Sequence, residues 1–104
     1  MKKISVTDCP IRKTLEIIGG KWKLLIIFQF SEGQPVRYGE LKRQIPEISD
    51  KVLLQELKSL VQHGLLIKYS YPEIPPRVEY LLTEKGKNIL PLIKTLEEFG
   101  VNNL

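Results

Sequence analysis

Lys51, Gln55, Lys58 and Gln62 recur at helical intervals and would share one face of an α-helix. Two ammonium groups and two carboxamides lie along that edge with no acid between them. This chemistry suits a polyanion that also presents base edges, because lysine pairs with phosphate or guanine and glutamine with adenine. An ordinary solvated helix face has the same composition, so the spacing alone leaves both readings open. Arg77 closes a run of three prolines in six residues, Pro72-Glu73-Ile74-Pro75-Pro76-Arg77. A cation on a stiff loop can reach phosphate or a minor groove. Glu73 and Glu79 oppose that, and a surface arginine bracing a proline-rich turn is the alternative. Arg37, Lys42 and Arg43 could hold a phosphate backbone or simply be solvated. Cys9 and Pro10 open another helical segment, with Lys2, Lys3, Arg12 and Lys13 close by in sequence. A thiol so placed is a candidate thiolate. The other reading, preferred on the residues alone, is a small apolar residue packed beneath the helix.

Other chemistry is thinly supported. His63 has no nucleophile or carboxylate at motif spacing and suits a helix end. Trp22 with the apolar run 24–28 is read as core rather than as an aromatic ligand box. Phosphate loops, paired catalytic acids and metal motifs are missing from the sequence. One cysteine and one histidine preclude an internal disulfide and argue against a Cys/His zinc site. No metal and no cofactor are therefore expected, and no catalytic residues are assigned. The chain reads as a non-enzyme.

The elements that must position these residues follow from periodicity and capping. A first helix is expected over 11–18, where Ile11, Leu15 and Ile18 recur, and Gly19-Gly20 stops it. A second covers about 21–30, its wide apolar face implying burial on several sides. Ser31-Glu32-Gly33 ends it. Residues 35–37 are extended, and 38–44 form a short helix closed by Pro46. Ser49 is an N-cap with Asp50 in the first turn. The helix to His63 packs Leu53, Leu57, Leu60 and Val61, and Gly64 follows its end. Fifteen residues give about 22 Å of helix, ample for a major groove. Strands are expected over 65–71 and 78–82. Thr83 caps a last helix over 84–99, which Pro91 should kink or split. Two adjacent helices joined by a short turn and followed by a hairpin have the winged helix-turn-helix layout.

Bulk properties agree. A length of 104 residues suits one domain with one core, and a domain of this size gains from a partner subunit. Hydrophobic residues make up 42% and charged residues 27%, as in a soluble globular chain. The net charge of +4 sits in the first half, with nine Lys/Arg against five Asp/Glu in 1–48. A basic balance permits nucleic acid or an anionic membrane without proving either. The N-terminus lacks the apolar stretch of a signal peptide, and 24–28 is too short to span a bilayer. A single thiol fits a reducing compartment, so the expected location is cytoplasmic.

Several of these segments together resemble the HxlR-type regulators. They are Cys9-Pro10, Gly19-Gly20-Lys21-Trp22, Gly39-Glu40-Leu41, Ile45-Pro46, Ile48-Ser49, Lys51, Leu53 and His63-Gly64-Leu65. The run from Pro72 to Tyr80 and Leu82-Thr83-Glu84-Lys85-Gly86 complete the set. The resemblance covers about residues 9–100. It implies a bacterial transcription regulator of α+β class with a winged helix-turn-helix fold. It also implies a homodimer joined through the first and last helices, 1–18 and 84–104, that binds inverted repeats in double-stranded DNA. Members that sense electrophiles or oxidants do so through a cysteine matching Cys9, which gives that residue a redox-sensing role here. The chain departs from the pattern at Leu54, where the family often has a hydroxyl. It departs again at Asp50, where an acid would repel phosphate unless it accepts from a cytosine amine. It also ends soon after Gly100, which implies a smaller pairing surface.

The expected DNA-contacting set is Arg37, Lys42, Ser49, Asp50, Lys51, Gln55, Lys58 and Arg77, with Cys9 as the redox-sensing residue. The rival reading is a winged-helix module that binds protein, its basic face incidental.

Overall fold

The computed structural model describes residues 8–104. Lys2 and Lys3, expected near Cys9, lie outside the described residues, as does the rest of segment 1–7. The elements run α1 (Pro10–Ile18), α2 (Lys23–Phe28), β1 (Val36–Arg37), α3 (Tyr38–Gln44), α4 (Asp50–Gln62), β2 (Leu66–Tyr71), β3 (Arg77–Leu82), α5 (Glu84–Lys87) and α6 (Leu90–Asn103). The strands form one antiparallel sheet of order β1-β3-β2. Helices α3 and α4 with the β2–β3 hairpin make a winged helix-turn-helix.

Local chemistry explains most boundaries. The Ser49 hydroxyl accepts from the Val52 backbone N–H at 3.2 Å and starts α4. Gly64 takes a positive φ of 74° just past the end of α4, a conformation that favours glycine. The last expected helix is split: α5 stops at Lys87 and Pro91 stands in the first turn of α6. There its missing N–H has no intrahelical partner to lose. Helix α2 is shorter than the expected 21–30. Gln29 and Phe30 donate to the carbonyls three residues back, at 3.0 Å each, so the α-helix tightens into turns after Phe28.

The core is formed by residues from α1, α2, β1, α3, α4, the sheet and α6. Ile26, Leu41, Leu53 and Leu60 are fully enclosed, and every buried side chain among the described residues is apolar or the Tyr80 ring. Trp22 packs against this core as expected, with the Lys21 ammonium 4.6 Å from its ring. The expectation that α2 is buried on several sides fails within one protomer. Ile26 and Ile27 face inward, but Leu25 and Phe28 remain more than two-fifths exposed. The last helix behaves alike, with Ile93 buried while Leu92, Leu96 and Phe99 face outward.

Two fastenings hold α4 to the rest. Lys23 of α2 pairs with Glu56 of α4 at 2.8 Å, both side chains largely buried. At the root of the hairpin, the Thr83 backbone N–H donates to the Leu65 carbonyl and the Thr83 hydroxyl to the Gly64 carbonyl. The Lys85 ammonium donates to the His63 carbonyl at 2.9 Å. Gly86 lies so close beneath that a Cβ there would stand 2.2 Å from the Leu65 oxygen; no larger residue fits without shifting backbone. The molecule is elongated, 55 × 30 × 25 Å with a radius of gyration of 15.3 Å, against about 13 Å for a compact domain of this length.

Candidate nucleic-acid interface

Helix α4 is amphipathic in the sense its sequence predicts. Leu53, Leu57 and Leu60 are sealed in the core, which turns Lys51, Gln55, Lys58 and Gln62 outward, and all four are exposed. The only acid in the middle of the helix, Glu56, is on another side and tied to Lys23. Thirteen residues of helix give about 20 Å of presentable edge. Leu54, where a hydroxyl was expected in relatives, is 53% exposed on the same helix and donates nothing.

The N-terminal end of α4 is braced from α3. The Tyr38 hydroxyl donates to Asp50 Oδ1. Burial and then this bond to a carboxylate push the Tyr38 phenol up to about 12, so it stays a donor throughout the physiological range. Asp50 thus has a partner inside the protein, and its charge faces a hydroxyl rather than standing alone in the first turn. Lys42 is also engaged: its ammonium donates to the Ile48 carbonyl, closing the turn between α3 and α4. Ser49 serves as the cap. Three of the expected DNA-contacting residues, Lys42, Ser49 and Asp50, therefore have structural partners. Lys51, Gln55 and Lys58 have no partner of that kind.

The loop end of the hairpin carries a second cluster. The register sets Tyr71 opposite Arg77 and Tyr69 opposite Glu79, and Arg37 of β1 opposite Glu79. The Arg77 guanidinium stacks 4.1 Å from the Tyr71 ring and pairs with Glu73 at 3.3 Å. Arg37 pairs with Glu79 at 3.7 Å. A hydrogen bond to Glu79 raises the Tyr71 phenol above its ordinary value. Two cations and two carboxylates cancel there. Arg77 Nε is buried without a hydrogen-bond partner.

Sequence reasoning missed two residues. Tyr38 gave no signal, because its partner lies twelve positions away. Lys68 of β2 borders the groove between α4 and the wing, which Leu54, Leu57, Lys58, Val61, Gln62 and Tyr80 also line. Its pairing opposite the buried Tyr80 could have placed it there.

Cys9 is half-exposed and immediately precedes α1, where Lys13 N–H donates to its carbonyl. The next residue, Pro10, lines a mainly apolar groove between α1 and α6 with Ile11, Thr14, Leu15, Leu92 and Leu96. Among the described residues there is no group of three His, Cys, Asp or Glu side chains that could hold a metal, and no helix long and apolar enough to cross a membrane.

Known proteins share this arrangement. An HTH-type transcriptional regulator of Halalkalibacterium halodurans is 48% identical over 99 residues, covering 95% of this chain and 88% of that one. A crystal structure of a MarR-family regulator from Porphyromonas gingivalis superposes with a TM-score of 0.93 at 54% identity, over 99% of this chain and 100% of that one. The redox regulator HypR in its oxidized form superposes with a TM-score of 0.85 at 35% identity, over 92% of this chain and 98% of that one. The first two are regulators of transcription and the third is a redox regulator, and this chain is likewise a regulator rather than an enzyme. The profile of the HxlR-like helix-turn-helix family matches residues 17–104, so the chain belongs to that family of transcriptional regulators.

Proposed function

We propose that the protein binds inverted-repeat operator DNA as a homodimer, laying two copies of α4 in successive major grooves. The observation that carries this reading is the open edge of α4: Lys51, Gln55, Lys58 and Gln62 are exposed, and the opposite stripe is locked in the core. Lysine and glutamine supply phosphate and base contacts. Arg37 and Arg77 anchor the β-strand side of the site, and Ser49, Asp50 and Lys42 set the N-terminal end of the helix. Half-sites about 34–36 Å apart put both copies on one face of the duplex.

Pairing is supported by apolar surface that one protomer leaves uncovered. Ile11 and Leu15 of α1, Leu25 and Phe28 of α2, and Leu92, Leu96 and Phe99 of α6 are all exposed. So much apolar surface on a small chain marks an interaction face, and a second copy would cover it through the terminal helices. Cys9 immediately precedes α1, which carries part of this face, and HypR is a redox regulator. We assign Cys9 the role of sensing oxidants or electrophiles from a position where modification disturbs the pairing of protomers. The cytoplasm, where such DNA is found, is the matching location.

A gel shift with DNA from upstream of the protein's own gene, in excess non-specific competitor, tests DNA binding. A specific complex whose stoichiometry is two chains per duplex is the expected result. Failure to find one in genome-wide binding as well would favour a protein-binding module instead. Treatment with a peroxide or quinone should change the affinity of the wild type and leave Cys9→Ser unaffected. A Cys9→Ser protein that still responds removes Cys9 as sensor.

A further inference from the structure

We propose that Glu73 is a specificity-determining residue that withholds Arg77 from phosphate on random DNA and releases it only in the operator complex. The inference rests on the DNA-binding reading above. Phosphate contacts supply nearly all non-specific affinity, so a cation that is always available strengthens binding everywhere and discriminates nothing. At the loop end of the wing the cation is not freely available. Arg77 is stacked on Tyr71 and paired with Glu73, while Glu79 engages Arg37 and the Tyr71 phenol. Glu73 occupies the place a phosphate oxygen would take.

The seat is also incomplete. Glu73 Oε1 meets one terminal nitrogen of the guanidinium, and Arg77 Nε is enclosed with no partner. Only on leaving that seat can the guanidinium offer Nε together with a terminal nitrogen to a phosphate, in the two-point bond that arginine favours. That bond would satisfy a donor that the internal seat leaves unsatisfied. The pair itself is partly exposed, 31% for Arg77 and 51% for Glu73, so it is weak enough to exchange. Exchange therefore depends on a phosphate held in register at the wing. The seated operator complex supplies that phosphate, and a loosely sliding one does not.

The test measures salt dependence on two duplexes, a random-sequence one and the palindrome that wild-type protein enriches from a random pool. Glu73→Gln should bind the random duplex about threefold more tightly. Its slope of log affinity against log salt should steepen by about 0.9, the value of one added phosphate contact. On the enriched palindrome its slope should match the wild type. In the Arg77→Ala background the gain from Glu73→Gln should vanish. A gain that persists without Arg77 would mean that Glu73 acts only as a diffuse negative charge, and overturns the proposal. So does an unchanged slope on random DNA in a Glu73→Gln protein whose thermal unfolding matches the wild type. Should the wild type enrich no palindrome at all, the DNA-binding reading fails first, and the two failures are told apart.

Discussion

Helices α4 and α6 are nearly equal in length, 13 and 14 residues, and both carry an apolar stripe. In α4 the stripe disappears into the protomer, with Leu53, Leu57 and Leu60 sealed. In α6 only Ile93 is sealed, and Leu92, Leu96 and Phe99 look outward. The same helical pattern thus has two meanings. One stripe holds the fold of a single chain together; the other is left open on its surface. The difference is decided by what the chain places opposite each helix. Helix α4 packs on β2 and is tied to α2 and α3, whereas α6 packs on α2 and leaves an open groove towards α1.

Changing one leucine on each helix separates the two roles most clearly. Leu57→Ala should remove about 2–5 kcal/mol of protomer stability, read by denaturant unfolding. A loss below about 1 kcal/mol would show that α4 is not a core helix. Leu96→Glu should instead leave the helical circular dichroism intact while sedimentation shows dissociation to single chains. Operator affinity should then fall by about a hundredfold or more, because two linked half-sites become one. If Leu96→Glu unfolds the chain, α6 is a core helix like α4 and the contrast is lost.

The outer edges of α4 offer finer tests. Lys58→Ala should flatten the salt dependence of operator binding by about 0.9 per contact without changing stability. An unchanged slope would take Lys58 off the backbone. Tyr38→Phe should cost the least, at most about 1 kcal/mol, since it removes one hydrogen bond at the rim. Its signature is a pH dependence. The folded-state phenol is raised from 10 to about 12, so the protonated form is favoured by folding. The associated stability is fully present below pH 10 and is lost as pH climbs towards 12. Tyr71 and Tyr80 are raised in the same direction. Tyr38→Phe should therefore weaken the alkaline loss without abolishing it, and an identical alkaline transition in both proteins would remove the Tyr38–Asp50 bond from the account.

Local signals carried the legible part of the fold. Helix α3 falls on the expected 38–44, the Ser49 cap is where its hydroxyl suggests, and Pro91 divides the last helix. Each depends on a few neighbouring residues and on rules of backbone donors that act at short range. The lysine-and-glutamine edge was legible too, because the leucines opposite fix it. What the sequence hid was long-range. The Tyr38–Asp50 bond and the seat of Arg77 on Tyr71 depend on how helices and strands meet, and no spacing encodes them. The end of α2 was hidden for another reason: Phe30 beyond it is apolar and buried like Ile26 and Ile27 within it, so nothing local marks where the hydrogen bonds shorten.

The clasp of Thr83 and Lys85 on residues 63–65, with Gly86 wedged beneath, has a consequence for the partner rather than for the protein. In the proposed complex with DNA, a wing and α4 riveted at one knuckle would hold the gap between them like a caliper. A duplex that touches both must conform to that gap, so stretches of DNA that bend or narrow easily will cost less to hold than rigid ones of equal letter content.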